Sequence, residues 1–294
     1  MKFSKLMLGT VQFGLDYGIA NTAGKPSLDT VCKIIKIAHE GGVTALDTAA
    51  AYGTSESVLG DALERLGLRD AMMVVSKIPP IAAVTDVEAE RFIEEALRES
   101  LRRLRVERLA ACLLHREDDF RYLPLLEKMV AKGMIGGAGV SLDSVKYLKE
   151  AAAVRYIQLP QNALDRRFED FWQVVEKNKI TVFARSVYLQ GLLLMPEDRI
   201  KPSLREVVPW RRKLESLGKE AGLCMAELCM RYVLSNPAVA SVLTGVDTPE
   251  QMRENLRLAA AGPLPEDLAA KLRMCVPLLP EALIRPALWN RTWS

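Results

Sequence analysis

The feature that most constrains the fold of this chain is a regular alternation of short apolar runs with longer amphipathic stretches. The short runs are nearly all apolar, as expected for strands that are covered on both faces of a parallel sheet. Alternation of such strands with helical segments is typical of an α/β fold. Eight strands are predicted in this way: Leu6–Gly9, Thr44–Leu46, Met72–Ser76, Leu109–Leu114, Gly137–Val140, Tyr156–Gln158, Thr181–Ala184 and Ser241–Leu243.

The stretches between these runs carry apolar residues at helical spacing. In Asp29–Glu40, for example, Val31, Ile34, Ile35 and Ala38 recur every three to four residues, and Asp29 is a candidate helix cap. The same periodicity predicts five further helices: Val87–Leu104, Tyr122–Lys132, Phe168–Lys177, Pro209–Ala221 and Pro249–Ala260.

Eight β-α units fit either a closed barrel or a doubly wound sheet with a small extra domain. A doubly wound dinucleotide-binding fold usually carries GxGxxG after its first strand, whereas this chain has GTVQFG at positions 9–14. A glycine cluster at 136–139 lacks the third glycine in frame. We therefore predict an α/β chain that forms one (β/α)8 TIM barrel domain over residues 1–294.

Two segments exceed the usual length of a connection between elements, residues 186–207 and the C-terminal tail, 262–294. Both are predicted as possible lids. The tail contains Trp289 and Trp293, which either cover a pocket or dock the chain end, and the second interpretation is favoured.

Composition excludes several classes of function. Forty basic and thirty-seven acidic residues are interspersed along the chain, which does not indicate nucleic-acid binding. No apolar stretch has the length of a signal sequence or membrane span, so we expect a cytoplasmic protein without membrane association. Five cysteines without CxxC spacing indicate neither a disulfide framework nor a metal site. The sequence gives no indication of oligomeric state.

Four polar residues follow successive predicted strands. Asp47 ends the second strand, Tyr52 lies in the next loop, and Lys77 and His115 follow the third and fourth strands. In a (β/α)8 barrel the active site is built at this carboxyl edge of the strands. The four side chains are therefore predicted to lie together as a catalytic group.

Their chemistry suits the reduction of a carbonyl group, which requires a proton donor for the oxygen. A lysine after an apolar run needs a counter-charge, and Asp47 supplies one for Lys77. The resulting ammonium stabilises the phenolate that forms when Tyr52 releases its proton. His115 is placed to donate a hydrogen bond to the carbonyl oxygen.

Motifs along most of the chain resemble those of the aldo-keto reductase family in the same order. They are GTVQFG, DTAAAYGTSESVLG, SKIPP, LLHRED, YIQLPQNALDRR, ARSVYLQGLL and TGVDTPEQMRENL. The resemblance implies an oxidoreductase that reduces an aldehyde, ketone or keto-sugar with NAD(P)H. It also implies that Asp47, Tyr52, Lys77 and His115 form the catalytic tetrad.

The resemblance further implies an extended nicotinamide cofactor across the barrel mouth. Asp47 and Gln158 match positions near the nicotinamide and its ribose, and Ser141 matches a carboxamide contact. The remaining positions match strand exits, a pyrophosphate loop and an adenosine site: Gly9, Thr10, Arg185, Ser186, Leu189, Gly191, Thr248, Gln251 and Asn255.

The chain departs from the family pattern at three places. Leu142 stands where an asparagine usually follows the strand-5 serine, and Arg185 replaces an aromatic residue that stacks on the nicotinamide ring. The third departure concerns the 2′-phosphate of NADP(H), the family's usual cofactor. Gly245 and Gln251 replace common basic residues, and Asp247 would repel the phosphate. NAD(H) is therefore expected to bind at least comparably.

The segment TGVDTPEQMREN, which follows the eighth strand, contains one cation, Arg253. Helical spacing leaves its side chain facing either the cofactor or solvent.

Two other functions remain open. Lys77 could act as the nucleophile of a Schiff-base lyase, which requires a neutral amine. Alternatively, the barrel could bind the nicotinamide cofactor as a redox sensor or interaction module without significant turnover.

Overall fold

A computed structural model describes residues 2–19, 21, 24–82 and 85–289. Within this part of the chain eight parallel strands close into a barrel in sequence order, with β8 pairing back to β1. The strands are β1 Leu6–Gly9, β2 Ala45–Asp47, β3 Met73–Ile78, β4 Ala111–Leu114, β5 Ala138–Ser141, β6 Tyr156–Pro160, β7 Thr181–Arg185 and β8 Val239–Gly245. The predicted (β/α)8 barrel is confirmed.

Helices connect the strands on the outside of the barrel. They are α1 Leu28–Glu40, α2 Ser55–Leu66, α3 Asp86–Leu104, α4 Leu123–Ala131, α5 Leu148–Ala151, α6 Trp172–Asn178, α7 Val208–Glu220, α8 Met225–Leu234, α9 Pro249–Ala260, α10 Glu266–Cys275 and α11 Glu281–Ile284. The six predicted helices are present as α1, α3, α4, α6, α7 and α9, and the prediction did not include α2, α5, α8, α10 or α11. None of the described helices is both long and apolar enough to span a membrane.

Two local predictions were wrong. The fourth strand begins at Ala111 rather than Leu109, because Leu109 forms only an isolated bridge with Ile135 before the chain joins the sheet. The cap of α1 is Ser27 rather than Asp29, since the Ser27 side chain accepts a hydrogen bond from the Thr30 amide at 3.3 Å. Asp29 instead lies in the first turn, where its charge is favourable to the helix dipole.

The apolar residues form two separate cores. The larger core packs between the sheet and the surrounding helices. The smaller core fills the barrel itself, as in other closed barrels of eight strands. Its members are Met7, Ala45, Val75, Ala111, Leu113, Tyr156 and Phe183.

Candidate active site

The alternation of strand residues carries the predicted site residues into the barrel mouth. Successive side chains in a strand point to opposite faces, so a residue two positions after an interior residue also faces the interior. Applied to the apolar residues inside the barrel, this rule places one polar side chain above each of five strands. These side chains belong to Asp47 after Ala45, Lys77 after Val75, His115 after Leu113, Gln158 after Tyr156 and Arg185 after Phe183.

Asp47 and Lys77 form a buried ion pair on neighbouring strands. The Lys77 Nζ atom lies 2.8 and 2.9 Å from the two Asp47 carboxylate oxygens, and each residue is only 1% exposed. The ammonium also donates to the Thr48 carbonyl oxygen at 2.9 Å, and the Gln158 amide donates to Asp47 at 2.7 Å. Both charges are therefore hydrogen-bonded as well as paired, which buried ions require.

The ammonium of Lys77 faces the Tyr52 ring, whose centroid lies 4.9 Å from Nζ. Burial would lower the pKa of Lys77, but the Asp47 carboxylate and the Tyr52 phenol oppose this effect. The net result is a pKa above the ordinary value of 10.5. Lys77 is thus a permanent cation beside the phenol at neutral pH.

Close packing of the backbone holds the loop that carries Tyr52. A Cβ atom at Gly14 would lie 1.9 Å from the Tyr52 carbonyl oxygen, so only glycine fits there. The Ser55 hydroxyl also holds the loop by donating a hydrogen bond to the Thr10 carbonyl oxygen at 2.7 Å. The loop after β2 is therefore fixed against the end of β1.

His115 stands edge-to-face against Tyr52, with ring centroids 5.6 Å apart and an interplanar angle of 83°. Burial, together with the positive charges of Lys77 and Arg185, lowers the pKa of His115 from 6.5 to about 3. The imidazole is therefore neutral at neutral pH. It has one N–H donor and adds no further positive charge beside Lys77.

We expect the imidazole of His115 to remain unprotonated between pH 5 and 8. Between its folded pKa of about 3 and the ordinary 6.5, the unfolded chain binds a proton that the folded chain does not, so this residue lowers stability as the pH falls. The chain has two histidines, and NMR of a His39→Asn variant isolates the His115 ring signals. A chemical-shift midpoint near 6.5 would contradict the assignment.

Some of these side chains line a cavity of about 770 Å³ at the barrel mouth. Many residues predicted to bind a cofactor contribute to its wall: Gly9, Thr10, Asp47, Gln158, Arg185, Ser186, Gly191, Gln251 and Asn255, together with Tyr52. The described wall does not include Lys77 or His115, which contact the Tyr52 ring, nor Ser141, Leu189 or Thr248. Leu189 is fully buried. The Thr248 hydroxyl caps α9 by accepting a hydrogen bond from the backbone N–H of Gln251.

One side of the cavity is a segment with unusual backbone geometry. Ser186, Leu189 and Gln190 have φ values of 63°, 47° and 55°, a left-handed region that non-glycine residues rarely adopt. Backbone strain of this kind is concentrated at ligand-binding sites. The segment lies within the predicted lid, 186–207, and forms a cavity wall through Gln190 and Gly191.

Sequence reasoning missed the segment that crosses the cavity from the opposite side. Tyr17 and Asn21 follow β1 and line the cavity. The Gln190 amide donates to the Tyr17 hydroxyl at 2.6 Å, and the Asn21 amide donates to Asp247 at 3.3 Å. No local pattern in the sequence indicates these contacts, since the partners are 173 and 226 residues apart.

The part of the cavity wall that follows β8 carries acidic residues. Asp247, Glu250 and Glu254 all line it. Arg253 is absent from the described wall and pairs instead with Glu250 at 3.2 Å on the surface of α9. A Cβ atom at Gly245 would lie 2.3 Å from the Gln12 side chain, which therefore occupies the space beside this glycine.

Arg185 is held by a charge cluster behind the cavity. Its guanidinium donates to Asp143 at 2.9 Å and to the Leu142 carbonyl at 3.0 Å. Asp143 also pairs with Arg285 of the C-terminal tail. Trp289 nearby in sequence is buried, which agrees with docking of the chain end, and Trp293 lies outside the described residues.

Comparisons with known proteins consistently match this chain to one family. The model of the aldo/keto reductase family matches residues 5–277. The uncharacterized oxidoreductase YqkF of Bacillus subtilis is 29% identical over 262 residues, covering 80% of this chain and 83% of that protein. The NADH-specific methylglyoxal reductase of Escherichia coli is 25% identical over 269 residues, covering 78% of this chain and 81% of that protein.

Solved structures share the same architecture. The holo form of the aldo-keto reductase AKR11C1 from Bacillus halodurans superimposes with a TM-score of 0.76. The two chains are 22% identical, and the match covers 94% of this chain and 93% of the other. At this level of identity the likeness concerns the fold.

Proposed function

The chain belongs to the aldo/keto reductase family, and from this premise we propose that it reduces the carbonyl group of a small aldehyde, ketone or keto-sugar, with Tyr52 as proton donor. The observation that carries this proposal is the juxtaposition of the Tyr52 phenol with the buried Lys77–Asp47 pair. A bound nicotinamide cofactor supplies the hydride to the carbonyl carbon. The residues of the chain supply the proton and orient the carbonyl.

In this proposal the Tyr52 hydroxyl transfers its proton to the carbonyl oxygen as negative charge develops there. The Lys77 ammonium stabilises the phenolate that remains, and Asp47 keeps the ammonium charged and in place. His115, neutral and adjacent to Tyr52, donates a hydrogen bond to the same oxygen.

The cavity fits an extended cofactor in both size and polarity. Its volume lies in the range of cofactor sites, and it runs from the catalytic side chains to the start of α9. The Gln12 Oε1 atom is buried without a hydrogen-bond partner in the described part of the chain, and a ligand donor would satisfy it. Asp47 and Gln158 would hold the nicotinamide end, and Ser186 and Gly191 the pyrophosphate.

The acidic end of the cavity supports NADH rather than NADPH as the preferred cofactor. Asp247 would repel a 2′-phosphate, whereas the charges of Glu250 and Glu254 are compensated by ion pairs with Arg253 and Arg257. No basic residue of α9 contributes to the described wall. Gln12 fills the space beside Gly245, so this position holds no cation. A relative described as an NADH-specific methylglyoxal reductase is consistent with this preference.

Replacement of Asp247 by asparagine is expected to improve NADPH binding relative to NADH by about three- to tenfold, since it removes one negative charge near the 2′ position. Asp247 is half-buried, so its charge is only partly screened. Calorimetric titration with both cofactors measures the ratio. Asp70→Asn, an exposed carboxylate before β3, is the matched control. Native binding of NADPH about tenfold tighter than NADH would contradict the preference.

The two alternative functions, a Schiff-base lyase and a cofactor-binding sensor, have less support. A Schiff-base nucleophile must be a neutral amine, whereas Lys77 is held charged by Asp47 and makes three hydrogen bonds. A cofactor-binding sensor would not need the Tyr52–Lys77 geometry. Trapping with borohydride after incubation with a carbonyl compound tests the first reading, since a covalent adduct at Lys77 would revive it.

The proposed activity is tested by following oxidation of NADH and NADPH with purified protein and a panel of carbonyls. The panel contains simple aldehydes, ketones, keto-sugars and methylglyoxal. We expect cofactor oxidation that depends on both protein and carbonyl. Tight cofactor binding without oxidation by any member would favour a sensor.

We further propose that the segment 186–207 closes over bound cofactor. The left-handed residues at its start and the hydrogen bond from Gln190 to Tyr17 support this role. The described part of the tail, 262–289, contributes no residue to the cavity wall. Its proposed influence on the site passes through Arg285 and Asp143.

A further inference from the structure

Two arginines, Arg185 and Arg199, contribute to the described cavity wall, and Arg185 is the one that belongs to a barrel strand. It follows Phe183 of the barrel interior on β7, so its side chain faces the mouth of the barrel, two residues farther along the sheet register than Gln158. The other cation of the proposed site, Lys77, is paired at 2.8 Å with Asp47 and is not part of the described wall. Arg185 therefore places a positive charge directly at the catalytic end of the cavity.

The counter-ion of Arg185 lies on the side away from the cavity. Asp143 is outside the described cavity wall, and it shares its negative charge between Arg185 at 2.9 Å and Arg285. Burial would raise the pKa of Asp143, but the two guanidinium groups outweigh burial and lower it. The carboxylate is thus charged and pairs with Arg185 from outside the cavity wall, so the guanidinium is the member of this pair that borders the cavity.

The field of Arg185 reaches the groups around the reacting carbonyl. The pKa of His115 is depressed by burial first, and then by Lys77 and by Arg185. A ring that lies between Tyr52 and Arg185 would therefore experience the positive field of Arg185.

We propose that Arg185 acts as an electrostatic selector that makes the protein bind reduced nicotinamide cofactor more tightly than the oxidised form. This inference rests on the proposed function, because it requires the nicotinamide to lie at the catalytic end of the cavity. The oxidised ring carries a positive charge and the reduced ring carries none. A fixed cation beside the ring consequently disfavours the oxidised form alone, which promotes loading with reduced cofactor and release of the oxidised product.

The test is calorimetric titration of the native protein and three variants with NADH and NAD⁺, which needs no turnover. In Arg185→Met the ratio of the Kd for NAD⁺ to the Kd for NADH is expected to fall by about tenfold, a change of about 1.4 kcal/mol. Arg185→Lys retains the charge and is expected to keep the ratio within about threefold of native.

A third variant separates charge from structure. Asp143→Asn removes the negative partner behind Arg185 while leaving Arg285 paired with Glu281 at 2.9 Å. The ratio is expected to rise in Asp143→Asn, opposite to its change in Arg185→Met, whereas simple damage to the site would weaken binding of both cofactors in both variants. Circular dichroism confirms that each variant is folded.

The outcomes distinguish this inference from the proposed function. If the native protein binds neither cofactor, the proposed function is contradicted together with the inference. If it binds both, and neither Arg185→Met nor Asp143→Asn changes the ratio, only the role of Arg185 is overturned. The same conclusion follows if both substitutions change the ratio in one direction.

Discussion

Replacement of Tyr52 by phenylalanine is expected to lower kcat by about 10²–10⁴-fold, the usual contribution of a positioned general acid. The substitution removes only the hydroxyl and keeps the ring that packs edge-to-face against His115. The affinity for the cofactor should therefore remain within about threefold of native. Steady-state kinetics and a calorimetric titration of the same preparation measure the two effects separately.

Tyr147→Phe provides a matched control. Its hydroxyl donates to Asp118 at 2.9 Å outside the cavity wall, so its loss should leave kcat unchanged. Native-like turnover in Tyr52→Phe would remove Tyr52 from the proposed role of proton donor. An equal loss of cofactor binding and turnover would indicate that Tyr52 contributes to binding rather than to proton transfer.

Replacement of Lys77 by methionine is expected to affect both activity and stability. Asp47 is only 1% exposed, so without the ammonium its carboxylate remains buried. Among the described side chains, only Gln158 still donates a hydrogen bond to it. Removal of one partner from a buried ion pair costs about 3–5 kcal/mol of stability. Turnover at neutral pH should also fall, because the phenolate of Tyr52 loses its stabilising cation.

The double variant Asp47→Asn/Lys77→Met separates these two effects. It has no uncompensated buried charge, so the free energy of unfolding should recover part of the loss seen in Lys77→Met. Turnover should stay low because the cation is still absent. Denaturant unfolding and a pH–rate profile measure the two quantities. An unchanged profile in Lys77→Met would separate Lys77 from proton transfer by Tyr52.

The barrel could be predicted because its signals are local. Strands buried on both faces are apolar throughout, and each of the eight apolar runs corresponds to a strand of the structure. The boundaries were less accurate, as at β4, since the apolar run Leu109–Leu114 extends beyond the residues that pair in the sheet. Helix α2 was missed although its apolar residues Leu59, Ala62 and Leu63 are buried on one face.

The position of the proposed catalytic group could also be predicted, because strand ends in a parallel barrel share one edge. Asp47, Lys77 and His115 meet at this edge through the two-residue period of β2, β3 and β4. Their chemical roles remain predictions. The sequence alone cannot give the 2.8 Å geometry of the Lys77–Asp47 pair, since that distance depends on the register of two strands.

The surroundings of the cavity could not be predicted, because they depend on contacts between distant segments. Asp143 and Arg285 are 142 residues apart, and Tyr17 and Gln190 are 173 apart. The sequence showed Arg185 in place of an aromatic residue but could not show that its guanidinium pairs with Asp143. A charged side chain is positioned by whichever counter-ions the fold brings near it, and local patterns do not contain that information.

Direct transfer of hydride to a carbonyl carbon is the central claim, and one labelling experiment tests it. Purified protein is incubated with a carbonyl compound from the panel and reduced nicotinamide cofactor that carries deuterium at the transferable position of C4. We expect one deuterium on the carbinol carbon of each alcohol formed, and formation of alcohol about 10²–10⁴-fold slower with Tyr52→Phe. Alcohol without deuterium, or consumption of cofactor without alcohol, would contradict it.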